Sequence, residues 1–245
     1  MDLGDGAVYV ADSGNSCIRK ISDNSVTSLV CGQGLSSPSG LALNQATKML
    51  FIADHEADAI FTFDLQSNAF SKIVFDSIYL KSPEKIAVHT TGHLIFTSTI
   101  SHSIYFVLMG CGGNASIPCS CMSAENMFFG ATSRQFCILQ AGEEKNDNLL
   151  DGPLASALFD SPRGMAVLPS GSILLADAGN NAVRGIYLDS STTESWSWNP
   201  YNFLKQLNEV SVTTILASSP ALSLRGPSAV AFSTNTTEIF IADTK

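Results

Sequence analysis

One short phrase recurs along this chain, and nothing else constrains its fold as strongly. VYVADSGNSCIRKI starts at Val8, MLFIADHEADAIFTF at Met49, HLIFTSTISHSIYFV at His93 and ILLADAGNNAVRGIY at Ile173, and EIFIADTK ends at Lys245. Each copy is an apolar run that breaks at Ala-Asp, or at Thr-Ser in the copy from His93, and the first four then resume alternation. A chain that repeats one short unit must stack copies of a single supersecondary element, because one unit cannot bury its own apolar face.

A second landmark fixes the period. SPSGLALN, SPEKIAVH, SPRGMAVL and GPSAVAFS each precede a copy of the phrase. Pro38 to Asp54 and Pro227 to Asp243 both span 16 residues, and Pro83 to Ser98 and Pro162 to Asp177 both span 15. This spacing predicts a hairpin of a short apolar strand a, a polar turn, and a β-branched strand b. CIRKI, AIFTF, SIYFV and AVRGI then read as strand c, and VTSLV, FSKIVF, FCILQ and VTTIL as strand d. Four strands repeating at about 40 residues describe a propeller blade. The expected fold is all-β, a β-propeller of four-stranded antiparallel blades.

Pro-x-Gly before an apolar strand, VAD-x-GN-x-x-I-R-x-I, and V-x-T-x-AG together resemble the NHL repeat. So does the link DGPLASALFDSPRGMAV from Asp151. The third unit departs, with Thr97 and Ser98 where Ala-Asp is expected. The resemblance implies a propeller, usually six-bladed, that mostly serves as a binding platform. Residues 1–245 are accordingly read as a single NHL-type domain of about five repeats. The strand inventory is b-c-d, three whole units, then a-b, which leads to an expected incomplete six-bladed ring and a segment of a longer chain.

Asp12, Asp54, Asp177 and Asp243 end strand b, where a short carboxylate can accept backbone N–H bonds; they are read as turn caps and not as a metal or catalytic cluster. Gly14 is expected to supply a positive φ, and Arg19 and Arg184 to pair with the carboxylate across the hairpin.

The phrase spacing stretches in two places. From Ser98 to Asp177 is 79 residues and from Asp177 to Asp243 is 66, against 42 from Asp12 to Asp54. The surplus falls between strands c and d of the third and fourth units, giving a Cys-rich insertion at 110–135 and a Trp-containing insertion at 190–210. In a propeller, c–d connections share a face with a–b turns, so the two insertions should rise side by side. Asn199-Pro200 suits a helix start, with Phe203, Leu204, Leu207 and Val210 on one stripe. Trp196, Trp198, Tyr201 and Phe203 are the candidate partner-binding group, although such aromatics also seal loops onto their own domain.

Of six cysteines, Cys17 and Cys31 flank a c–d hairpin, and Cys111, Cys119, Cys121 and Cys137 surround the third-unit insertion. The latter four allow three pairings, and Cys111 and Cys137 lie near a hairpin base. Their spacing lacks the paired C-x-x-C of common zinc sites. Asn114-Ala-Ser and Asn235-Thr-Thr are candidate glycan acceptors. Bridges and sequons tilt the expectation toward a secretory or extracellular protein. No signal peptide is visible in the segment, and no apolar run approaches the roughly 20 residues of a membrane helix.

Charge narrows the partners. Thirteen Lys plus Arg stand against 22 Asp plus Glu, a net charge of −9. Nucleic-acid binding is disfavoured, because phosphate affinity needs clustered cations. The resemblance also admits propeller enzymes, amidating lyases and lactonases, which need His or carboxylate ligands around the channel. Here the inner strands are apolar, His55, His89, His93 and His102 sit at turns or strand edges, and Glu143 to Gly152 misses EF-hand spacing. No catalytic residue, metal or cofactor is expected. The reading is a non-catalytic scaffold for a protein partner.

Overall fold

The computed structural model describes residues 6–73, 80–90, 92–109, 129–133, 136–144, 146–187, 210–220, 223–233, 235 and 237–244. In chain order the strands are β1 (Val8–Asp12), β2 (Cys17–Ser22), β3 (Ser25–Cys31), β4 (Pro38–Asn44), β5 (Met49–Asp54), β6 (Ala59–Asp64) and β7 (Phe70–Ile73). There follow β8 (Pro83–Val88), β9 (Leu94–Ser98), β10 (Ser103–Met109), β11 (Phe129–Ser133), β12 (Phe136–Ala141), β13 (Gly152–Pro153) and β14 (Pro162–Val167). The last are β15 (Ile173–Asp177), β16 (Ala182–Tyr187), β17 (Ser211–Ala217), β18 (Pro227–Phe232) and β19 (Ile239–Asp243).

They form five antiparallel sheets in sequence order, as propeller blades do. The first holds β1-β2-β3, which are strands b, c and d, and the last holds β18-β19, which are a and b. The second sheet, β4-β5-β6-β7, is a complete four-stranded blade. The third and fourth exceed the expected four strands. β11, drawn from the Cys-rich insertion, folds back onto β12, and β13, drawn from the preceding linker, pairs with β17. Both added strands lie on the outer edge and cover hydrogen-bonding groups that a four-stranded blade leaves open there.

Each inner hairpin repeats one register. Pro38 faces Asp54, Pro83 faces Ser98, Pro162 faces Asp177 and Pro227 faces Asp243, each pair followed by a bulge. Proline fits this place because the first residue of an inner strand need not donate to the ladder. Gly40 and Gly164 follow two residues later for lack of room. A Cβ on Gly40 would lie 2.7 Å from the Glu84 carbonyl oxygen, and one on Gly164 would lie 2.5 Å from the Ala229 Cα. The Pro-x-Gly signature thus records inner strands of adjacent blades converging on the axis.

The core lies between blades rather than within them. Leu50, Ile52, Phe61 and Phe63 pack with Tyr9, Ile18 and Val30 of the first blade. Phe51, Ala53 and Ile60 pack the opposite way, against Ile86, Phe96 and Tyr105 of the third. A further layer joins Ile95, Ile104 and Phe106 to Phe159, Ile173, Leu175 and Ile186. Leu174, Ala176 and Val183 meet Val230 of the last sheet. Strand b therefore reads as a continuous apolar run, because both of its faces are buried. In the first and last sheets the same positions are open: Val8 is 40% exposed and Phe240 is 56% exposed.

Candidate functional site

The turn between strands b and c concentrates the polar chemistry. In the second blade Asp54 is fully buried and accepts three main-chain N–H bonds: Ser36 (2.8 Å), Ser37 (2.9 Å) and Ala57 (3.0 Å). It thereby ties its turn to the linker that leads into its own strand a. Asp177 accepts the Asp160 amide at 2.8 Å, and Asp243 accepts the Arg225 amide at 2.9 Å. Asp12 is partly exposed and bonds side chains, Asn15 at 2.9 Å and Arg19 at 3.0 Å. Those hydrogen bonds hold its carboxyl below the ordinary value.

A second acceptor sits four residues on. The Asp58 carboxylate accepts the Ser82 amide at 2.6 Å, His102 Nδ1 accepts the Ser161 amide at 3.1 Å, and Asn181 Oδ1 accepts the Gly226 amide at 2.8 Å. Each bond runs from the turn of one blade to the linker of the next. These residues take the left-handed conformation, with φ of 46°, 49° and 51°, as does Ser16 at 51°. The expected role of Gly14 is thus corrected, since the turn reverses at the residue after Asn15. Gly179, its counterpart, serves space instead: a Cβ there would lie 2.0 Å from the Asp160 carboxylate.

The fourth blade adds an ionic lock. Arg184 is fully buried, and its guanidinium meets Asp177 Oδ2 (2.7 Å), Asp151 Oδ1 (2.8 Å), the Leu158 carbonyl (2.9 Å) and the Leu150 carbonyl (2.7 Å). It also stacks over Phe159, 5.1 Å from the ring centroid. Burying a guanidinium is tolerable only when its donors are met, and here they tie the linker to strand c at Leu150, Asp151 and Leu158. Burial pushes the Asp177 carboxyl up, against the hydrogen bonds from Asn180, Asp160 and Arg184. At Asp151, partial burial is outweighed by the Thr214 hydrogen bonds and the Arg184 charge, which hold the carboxyl down.

The third blade uses no charge at this place. Ser98 Oγ accepts the Ser101 amide at 3.3 Å, Tyr105 donates to Ser101 Oγ at 3.0 Å, and Ser103 donates to the Ser101 carbonyl at 2.6 Å. Thr97 Oγ1 accepts the Lys85 amide at 3.3 Å and donates to the Arg163 carbonyl of the fourth blade at 2.9 Å. Tyr105 stacks on Phe96 at 4.7 Å between centroids. At the a–b turn of this blade, His89 Nε2 lies 2.9 Å from the Gly171 carbonyl of the fourth. Burial lowers the His93 pKa to about 4, with the His89 charge adding to the effect.

The remaining sequence candidates divide by position. Cys17 and Cys31 are register partners joined by a disulfide, with sulfurs 2.01 Å apart. Cys137 lies in β12 opposite Leu108 and Ala131. Cys111, Cys119, Cys121, Asn114, Trp196, Trp198, Tyr201 and Phe203 lie outside the described residues, as do Leu204 and Leu207 of the expected helical stripe. Its last member, Val210, is buried just before β17 and accepts the Leu154 amide at 2.9 Å, outside any helix. Asn235 is exposed in the β18–β19 turn. Sequence reasoning missed Asp151, Ser101, Tyr105 and the second acceptors. Tyr105 and Phe61 stand seven residues after their turn caps, where Arg19 and Arg184 stand after theirs, and that alignment was the available signal.

Among the described residues no helix is long and apolar enough to cross a membrane, and no group of three or more His, Cys, Asp or Glu could hold a metal ion. Residues 159–186, spanning β14, β15 and most of β16, match the family model of the NHL repeat. A search of curated proteins finds no match. Among solved structures the chain is similar to an auxiliary nutrient binding protein from Bacteroides ovatus ATCC 8483, at 13% identity and a TM-score of 0.64, covering 95% of this chain and 52% of that one. It is similar to a catalytically inactive virginiamycin B lyase from Staphylococcus aureus with quinupristin, at 12% identity and a TM-score of 0.58, covering 98% and 60%. It is also similar to a structure of the nidogen/laminin complex, at 12% identity and a TM-score of 0.57, covering 97% and 69%. The chain spans about half the length of the nutrient binding protein and 60% of the length of the lyase. Likeness at such identities shows the fold, a β-propeller.

Proposed function

We propose that this NHL-repeat β-propeller is a non-catalytic scaffold that presents two inserted segments to a protein partner. One observation carries the reading. β10 pairs directly with β12, and β16 pairs directly with β17, so residues 110–128 and 188–209 both fall in the chain between strands c and d of adjacent blades, with β11 held on β12. The two blades are pinned together by the Thr97, His89 and His102 bonds described above. A rigid pair of blades carrying neighbouring loops is the usual arrangement of a recognition surface. The turn carboxylates support the same reading, since Asp54, Asp177 and Asp243 are spent on holding linkers. The aromatic group at Trp196, Trp198, Tyr201 and Phe203 supplies interface anchors of the kind that dominate binding energy. The nidogen/laminin structure shows the same fold in a protein–protein complex.

The test uses the full chain and two deletions, 112–135 and 190–209, each closed by a short Gly-Ser link. Loss of capture of one identified partner by either deletion, with a sheet-like far-ultraviolet spectrum retained, supports the reading. Undiminished capture by both deletions overturns it. A propeller enzyme is the second reading, favoured by the likeness to virginiamycin B lyase. Turnover of a lactone or of quinupristin by the purified chain would establish it in place of the first.

A further inference from the structure

We propose that Asn235 is an acceptor for an N-linked glycan. Asn235-Thr236-Thr237 supplies both required groups, a side-chain amide and a hydroxyl two residues on. The geometry of the turn sets this site apart. In the third and fourth blades the a–b turn closes from His89 to His93 and from Leu168 to Ser172, each with an N–H···O bond of 2.8 Å. Those turns reverse at Gly92 and Gly171, with φ of 88° and 87°, and pack sideways through His89 and the Gly171 carbonyl. In the last sheet the closure runs from Ser233 to Glu238, one residue longer, at 3.0 Å. Asn235, Thr237 and Glu238 are exposed along it, and the Asn235 amide makes no hydrogen bond among the described residues.

A second, independent observation gives the compartment. Cys17 and Cys31 are joined across β2 and β3, and Cys31 is exposed. A bridge with one exposed cysteine persists where thiols are kept oxidised, as along the secretory route on which glycans are added.

The donor class is a lipid-pyrophosphate-linked oligosaccharide. Asn235 Nδ2 forms a bond to the anomeric carbon of the first sugar as the bond from that carbon to the pyrophosphate oxygen breaks. The lipid pyrophosphate leaves with the electron pair, and Nδ2 gives up one proton to a base of the transferase. Nothing is oxidised or reduced.

The test is the full chain behind a secretory leader in a eukaryotic cell, with the peptide containing residue 235 followed by mass spectrometry. Most copies should carry a hexose-rich mass that an N-glycan amidase removes, leaving Asp in place of Asn. Thr237→Ser should keep the modification, while Thr237→Ala and Asn235→Gln should lose it. Asn114 reports on a separate peptide and does not confuse the result. An unmodified residue 235 in secreted chain whose Cys17–Cys31 bridge is formed overturns the proposal, as does modification that survives Thr237→Ala.

Discussion

The third and fourth blades stand side by side, carry both insertions and face the same problem. Strand b ends in the core, and its last residue must turn the chain without stranding polar groups. The fourth blade solves this with charge: Asp177 and Arg184 are both fully buried, with Asp151 completing the pair. The third solves it with neutral hydroxyls, using Ser98, Ser101, Ser103 and Tyr105. The difference follows from what each linker offers. The linker before β14 brings the carbonyls of Leu150 and Leu158 to the guanidinium, so a buried cation has its donors filled. A hydroxyl asks for less, because it rotates to suit one donor and one acceptor. The second blade shows a third solution, in which Asp54 takes three amides and Phe61 fills the arginine's place.

Breaking the charged lock should have the largest effect. Arg184→Met leaves Asp177 buried without its cation and frees the linker 150–160, and should cost about 3–5 kcal/mol in urea denaturation. A loss below about 1 kcal/mol would show that the lock is ornamental. Imposing charge on the neutral blade comes next. Ser98→Asp restores the repeat's own residue but without an arginine, and should cost about 2–3 kcal/mol. Adding Tyr105→Arg should recover only part of that, since among the described residues no pair of linker carbonyls meets that place; full recovery would refute the dependence on the linker.

Acid separates the two blades. The folded pKa of His93, about 4, lies below its unfolded value near 6.5, so the folded state binds fewer protons. Its contribution is complete above about pH 6.5 and is lost progressively as pH falls toward 4. Asp151 has its pKa lowered by Thr214 and Arg184 in the face of burial, so its contribution is lost only as pH falls below the ordinary carboxylate range near 3.9. Through His93 alone stability should therefore drop by on the order of 2 kcal/mol between pH 7 and 4.5, while the raised carboxyl of Asp177 works in the opposite direction in the fourth blade. His93→Gln should flatten that limb of the stability-against-pH curve while leaving the steeper fall below pH 4. The smallest effect is expected from Tyr105→Phe, about 1 kcal/mol for one buried hydrogen bond, with the ring stacking on Phe96 retained.

Much of this was legible in advance. The Pro38-to-Asp54 spacing named the hairpin, and the register Pro38↔Asp54 recurs in every inner pair. Arg19 and Arg184 stood at one place in the phrase, and both reach their turn carboxylates. Asp151 was not legible as a partner, because 33 positions separate it from Arg184 and no period connects them. Nor was the left-handed residue, since Ser16, Asp58, His102 and Asn181 share a conformation and no chemistry. The added outer strands β11 and β13 escaped for a related reason: neither repeats, so no second copy existed to reveal them.

The sequence by itself determined the strand period, the blade grammar and the residues at which the chain turns. These depend on steric and hydrophobic preferences that act over a few residues and are repeated in each unit. Only the tertiary structure decided how each turn is satisfied, by an amide cluster at Asp54, an ion pair at Asp177 or hydroxyls at Ser98. Those choices depend on which linker atoms arrive from distant positions, and the burial that makes an unmet donor costly exists only once neighbouring blades have closed over it.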